Sequence, residues 1–127
     1  MNQRFYKSER LKSRKAIETL FNNGQKITSY PIKLIYLTNE NPTAISHQVC
    51  FSVPKRTIKK AVERNKIKRR MREAYRKNKQ LLSISNTTKL FLMFIFTGKE
   101  NCTYAVIEEK IKSILLRLND NFSNPSA

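Results

Sequence analysis

Lys55 to Lys79, KRTIKKAVERNKIKRRMREAYRKNK, decides how the rest of the chain is read. On a helical projection Ile67, Met71, Ala74 and Tyr75 share one stripe, as in a helix that lays one face on a core. The helix is expected to start within 57–62 and to run to about Lys79. Ile58 and Val62 fall off the stripe, so either the first turn docks elsewhere or the helix begins later. The remaining faces are cationic. Thirteen of the 25 residues are Lys or Arg and only Glu63 and Glu73 oppose them, which leaves eleven of the chain's seventeen net positive charges in this stretch. Arg64, Lys68 and Arg72 step by four and form a ridge. Asn65 and Arg69 form a second ridge beside it, and Asn65 adds directed hydrogen bonds rather than charge. Arg76 extends the face, and Lys55 and Arg56 precede it. Glu73 has Arg69, Arg76 and Lys77 within helical pairing distance.

Charge this dense and this localised suits a polyanion. Nucleic acid is the first candidate partner, an anionic membrane surface the second, and charge serving only solubility the third. The ridge residues are expected to be exposed, so that Arg64→Ala or Arg69→Ala weakens RNA binding with little loss of stability.

The length of 127 residues suits one domain, read as ordered over about 5–118 with 119–127 a frayed tail. Apolar content of 39%, with seven Phe and five Tyr, is enough for a core, so the chain is not a disordered basic tail. Cys50 and Cys102 make no disulfide framework, and the N-terminal MNQRFYKSERLKSRK lacks the apolar segment of a signal peptide. The longest apolar run, Leu90 to Phe96, is too short to cross a bilayer. The expected location is therefore the cytoplasm.

The flanks supply the other elements. Ser13 caps a short helix through Asn22, with Ile17, Leu20 and Phe21 on one stripe. Asn23-Gly24 stops it, both residues tolerating a left-handed backbone. Residues 26–38, KITSYPIKLIYLT, read as extended, with Pro31 marking a strand start or edge. Ile32, Leu34 and Tyr36 share one face; Ile35 and Leu37 share the other. His47 to Val53, HQVCFSV, alternates as a half-buried strand paired with the preceding one. Lys89 to Phe96, KLFLMFIF, reads as a strand buried on both faces. Thr103 caps a last helix whose apolar positions run from Tyr104 to Leu118. Phe21, Tyr36 and Phe51 are candidates for a stacking platform beside the first helix, with Arg14, Lys26 and Lys55 nearby. Taken singly, Phe51 reads more simply as core.

Catalytic constellations are missing from the pattern. His47 is the sole histidine, and the nine acids form no cluster with it or with cysteine. His47-x-x-Cys50 has no second ligand pair to complete a zinc site. No catalytic residue, no metal ligand and no protein-bound cofactor is expected.

Within the organising helix, Glu63 to Arg76, ERNKIKRRMREAYR, resembles the R-N-x-x-K-R-x-x-R-E signature of the protein subunit of bacterial ribonuclease P. It follows Ala61-Val62 as the pattern does there. FSVPKR, Phe51 to Arg56, resembles that family's strand end before the crossover. RLKSRKAIETLFNNGQK, Arg10 to Lys26, resembles its first helix. The resemblance spans about 5–118. It implies an α+β fold, a single-domain αβββαβα sandwich with a left-handed βαβ crossover like the second domain of a small-subunit ribosomal protein. Composition gives no hint of that hand, since nearly all such crossovers are right-handed. The resemblance further implies that a catalytic RNA, not the protein, holds Mg²⁺ and cleaves the 5′ leader from precursor tRNA. A monomeric protein would join that RNA 1:1. Arg64, Asn65, Lys68, Arg69, Arg72 and Arg76, with Lys55 and Arg56, would bind RNA. Phe21, Tyr36, Ile17, Phe51 and Arg14 would form the leader cleft, Ile17 standing where many members carry an aromatic. The alternative is a structural, ribosomal-type RNA-binding protein with no link to an enzyme.

Overall fold

The computed structural model describes residues 7–84 and 88–123. The chain runs α1 (Arg14–Asn23), β1 (Gln25–Ser29), β2 (Ile32–Thr38), β3 (Gln48–Ser52), α2 (Ala61–Asn78), β4 (Leu90–Phe96) and α3 (Tyr104–Ser123). This is the expected αβββαβα order. One sheet, ordered β1-β2-β4-β3, carries α1 on one face and α2 with α3 on the other.

Each end of α1 has a local cause. Ser13 Oγ accepts from the Ala16 amide at 3.2 Å, satisfying one of the helix's unpaired N–H groups. Gly24 ends the helix, but its backbone is extended (φ −71°, ψ 152°), not left-handed. Glycine is needed there for closeness: a Cβ would lie 2.5 Å from both Ile35 Cγ2 and the Leu20 carbonyl oxygen.

The extended stretch 26–38 holds two strands, the second starting just after Pro31. It folds back at a cis Tyr30–Pro31 bond, and β1 pairs antiparallel with β2, Gln25 opposite Tyr36 and Ser29 opposite Ile32. The departure from expectation concerns β3, which does not pair with β2. It runs parallel to β4, with Phe51 opposite Phe94. The apolar run of β4 accounts for this. All of Leu90–Phe96 except Phe91 is buried, so the strand takes a central place between β2 and β3. Parallel neighbours need a long crossover, and α2 supplies it. The outer edge of β3 is met by the segment before α1: Arg10 bridges Val49, and the Leu11 amide donates to the Val49 carbonyl at 2.9 Å.

The larger core lies between the sheet and the helix pair. Ile67, Met71, Ala74 and Tyr75 of α2 meet Ile107, Ile111, Ile114, Leu115 and Leu118 of α3 over Leu34, Tyr36, Leu92 and Phe94. Ile58 joins this core from the turn before α2, whereas Val62 is exposed, so the helix begins after the residue that anchors it. The smaller core, under α1, is built from Leu11, Leu20, Ile35, Met93 and Ile95. α3 continues past Leu118 to Ser123 because its last turns are tied down. Asn119 donates to the Leu81 carbonyl at 2.6 Å, and Asn121 donates to the Tyr36 hydroxyl at 2.8 Å. Of the residues read as a frayed tail, only 124–127 lie outside the described residues.

Candidate nucleic-acid interface

The polar faces of α2 divide into residues committed to the fold and residues left to solvent. Arg64 is committed. Its Nη1 donates to the carbonyls of Ile58 at 3.0 Å and Lys59 at 2.7 Å. Arg70 Nη1 donates to Asn101 Oδ1 at 2.6 Å and to the Cys102 carbonyl at 2.7 Å, and Asn101 in turn donates to Glu63 Oε2. Arg76 pairs with Glu73 at 2.5 Å, which holds the Glu73 carboxyl below the usual carboxylate range. Asn78 is buried and donates to the Ala74 carbonyl and to Glu108. Lys79 pairs with the buried Glu9 at 2.8 Å, tying the end of α2 to the segment before α1.

Beside Lys66 and Lys77, what remains is a set of four on the signature ridge: Asn65, Arg69 and Arg72, all exposed, and the half-buried Lys68. None of the four forms a hydrogen bond or ion pair with another described residue. Like charges one turn apart repel, so this set costs stability in the free protein. The ridge is therefore outward-facing and uncovered, but Arg64 and Arg76 are not free members of it. Lys55 and Arg56 are exposed in the turn before α2. That turn is fixed by buried Ile58, by the Ile58 amide and Thr57 hydroxyl donating to Pro54 at 3.2 Å, and by Arg64 from the helix side.

Between α2 and the edge of the sheet lies a groove of about 280 Å³. Arg10 and Lys12 stand on one side, Lys68 and Arg72 on the other, with Cys50 and Phe51 between them. Phe51 stacks on Phe94 at 5.7 Å and meets Tyr75 edge-on at 6.2 Å, which fixes its ring. Burial pushes the Cys50 thiol up to about 11, so it stays protonated at neutral pH and is a poor nucleophile. His47 Nδ1 accepts from the Leu90 amide at 3.0 Å. Burial, with Lys89 nearby, lowers its pKa to about 4, so it is a neutral structural residue. Among the described residues no group of three or more His, Cys, Asp or Glu is placed to hold a metal ion.

The structure does not gather the cleft candidates into one place. Ile17 is half-buried against the α1 face of the sheet, beside Leu37, Cys50 and Phe91. Phe21 is 56% exposed and Arg14 is exposed at the start of α1. Tyr36 lies on the opposite face, 4% exposed, donating to Gln25 Oε1 at 2.8 Å and meeting the Phe122 ring edge-on. Side chains alternate along a strand, so Ile35 rather than Tyr36 faces α1. Phe51 also belongs to the α2 face, at the sheet's rim, where it reaches the groove. The aromatic that packs against the same cluster as Ile17 is Phe91, hidden in the sequence by the uniformly apolar run around it. Cys50 and Leu11 border both the groove and the α1 face, so the two surfaces adjoin.

A sequence model for the family described as Ribonuclease P matches residues 5–119. The ribonuclease P protein component of Porphyromonas gingivalis is 32% identical over 118 residues, covering 91% of this chain and 86% of that one. Two solved structures share the fold. The RNase P protein of Staphylococcus aureus has a TM-score of 0.70 at 20% identity, over 90% of this chain and 97% of that one. That of Thermotoga maritima has a TM-score of 0.70 at 24% identity, over 86% and 96%.

Proposed function

Because the chain belongs to the ribonuclease P protein family, we propose that it is the RNA-docking subunit of that ribonucleoprotein. In this reading it binds the catalytic RNA and the 5′ leader of precursor tRNA as a monomer in a 1:1 complex, and it acts in the cytoplasm. The observation that carries the reading is the outward ridge of Asn65, Lys68, Arg69 and Arg72, which holds cations in the open with no acid spent on them.

Each phosphate met by a ridge cation releases a counterion, so affinity falls steeply with salt. Lys55 and Arg56 lengthen the same surface. The leader, being single-stranded, calls for stacking and phosphate contacts rather than readout of base edges. The adjoining surfaces of α1 and the groove offer both: Ile17 and Phe91 on one, with Phe21 exposed on α1, and Arg10, Lys12, Lys68 and Phe51 on the other. Arg14 adds charge at the entrance. Tyr36 is left out of this path because the sheet stands between it and α1. Hydrolysis of a phosphodiester needs a positioned metal-bound water. We assign the Mg²⁺ ions and the cutting to the RNA, and to the protein the screening of RNA–RNA repulsion and the seating of the leader.

The test is cleavage of precursor tRNA by the catalytic RNA across a Mg²⁺ titration, with and without the protein. The protein is expected to lower the Mg²⁺ needed for half-maximal cleavage. A chain that binds structured RNA but leaves the Mg²⁺ requirement where it was is a ribosomal-type structural protein, and the proposal is wrong.

A further inference from the structure

The ridge of α2 has a second flank, facing α3. There a groove of about 360 Å³ is walled by Arg69, Arg70, Arg72, Glu73, Arg76 and Tyr104. Arg70, Arg76, Glu73 and Tyr104 are held in place before any ligand arrives, while Arg69 and Arg72 have no partner among the described residues. Arg70 is held by Asn101 and the Cys102 carbonyl, and Arg76 by Glu73. The Tyr104 hydroxyl donates to Glu108 Oε2 at 3.1 Å, and Lys77 Nζ stands 5.9 Å from the ring centroid. Burial and the Glu108 hydrogen bond push the Tyr104 phenol up to about 12, so the ring stays neutral. Glu73 is already paired, so the groove has an excess of guanidinium, and the exposed Arg69 and Arg72 stand at its mouth.

An aromatic ring, ordered cations and a volume near the small end of ligand sites match a flat ring joined to an anion. A helix of paired RNA is too wide to enter, whereas one unpaired base with its phosphate fits the chemistry. Arg72 is shared with the sheet-edge groove, but the rest of this groove lies toward α3, so we take the RNA that reaches Tyr104 to be the one docked on the ridge rather than the leader.

We propose that the α2–α3 groove receives a single unpaired nucleobase of the docked RNA, stacked on Tyr104, with its phosphate on Arg69 and Arg72. This rests on the reading of the ridge as an RNA-docking surface. It extends the interface beyond the signature helix to a residue on α3, so that the RNA is recognised by where its helices are interrupted.

The test uses the full chain and three fluorescent RNA hairpins, identical except for one site that is fully paired, a bulged adenosine, or a bulged abasic residue. Wild type is expected to bind the bulged adenosine at least about fivefold more tightly than the other two, the low end of what one stacked base contributes. Tyr104→Leu is expected to remove that preference and Tyr104→Phe, which keeps the ring, to retain it. The ratio between hairpins is the readout, so a general loss of folded protein does not imitate the result. A preference that survives Tyr104→Leu, or that is missing in wild type while the paired hairpin still binds, overturns the proposal. Failure of wild type to bind any of the three overturns the ridge reading beneath it.

Discussion

Replacing Arg64 by Ala separates two roles that the signature motif merges. A ridge residue that meets a phosphate contributes one ionic contact. The structure instead has Arg64 donating to the carbonyls of Ile58 and Lys59, in a turn that also carries Lys55, Arg56 and Lys60. A hydrogen bond from a charged donor contributes about 1.5–3 kcal/mol when well sheltered. Arg64 is half-exposed, and water takes up the freed carbonyls, so about 1–2 kcal/mol for the pair is the expected loss. That loss falls on the turn, which opens locally while α2 keeps its core stripe. The first assay is amide hydrogen exchange in the free protein, where the Ile58 amide, bonded to the Pro54 carbonyl at 3.2 Å, is expected to exchange about 5- to 30-fold faster. The second is the salt dependence of RNA affinity. Losing one phosphate contact lowers the slope of log K against log salt by about 0.7–0.9. Disordering a turn with several cations lowers it by distinctly more than one. Unchanged exchange at Ile58 together with a slope change near one would make Arg64 a phosphate ligand and refute the reasoning.

Arg69→Ala is the control: exposed and unpartnered among the described residues, it is expected to lower the salt slope by about one and leave the unfolding midpoint unchanged; a lower midpoint would give it a structural role. Tyr36→Phe removes hydrogen bonds to Gln25 and Asn121 and is expected to cost about 1–2 kcal/mol in thermal unfolding with RNA affinity intact; weaker leader binding at unchanged stability would return Tyr36 to the cleft. Phe91→Ala is expected to weaken precursor tRNA more than mature tRNA in competition binding, and equal weakening of both would remove it from the leader path. His47 titrates near 4 when folded against 6.5 when free, so between those values the unfolded chain binds more protons and stability rises with pH, levelling above about 6.5. The contribution is on the order of 2 kcal/mol after allowance for partial solvation; His47→Gln should flatten the stability curve over pH 4–6.5, and parallel curves for variant and wild type would show that the histidine does not contribute.

The long-period signals were legible in the sequence and the pairings were not. Ile67, Met71, Ala74 and Tyr75 announce the buried side of α2 through spacing alone, and Ser13 announces the start of α1 through its capping hydroxyl. Strand partners depend on which apolar run takes the centre of the sheet. β4 comes last among the strands yet displaces β2 as the neighbour of β3, a contest that local pattern does not record. The alternation in β2 separated Ile35 from Tyr36 correctly, but nothing in the strand says which face α1 covers. Pro31 marked an edge, and the reversal of chain direction there emerges only from the pairing of Gln25 with Tyr36. For the interface, charge was visible and its use was not: Arg64, Arg70 and Arg76 look like Arg69 and Arg72 until their acceptors at Ile58, Lys59, Asn101, Cys102 and Glu73 are in place. Gly24 was legible as a helix stop for the wrong reason, since its role is set by Ile35, eleven positions along the chain.

The short segment before α1 also guards the molecule against its own copies. An open strand edge is a template for association, and Leu11 already occupies the Val49 carbonyl on the outer side of β3. On the far side of the sheet Arg117 donates to the Thr28 carbonyl of β1 at 2.6 Å. A chain shortened to begin at Ser13 would keep α1 to α3 and all four strands yet bare the rim of β3. Electrostatic repulsion would then be its main protection, and RNA removes that protection by neutralising it. Truncation at this point would therefore show itself as precipitation on mixing with RNA, on top of the lower melting temperature that follows from losing buried Leu11 and the Glu9–Lys79 pair.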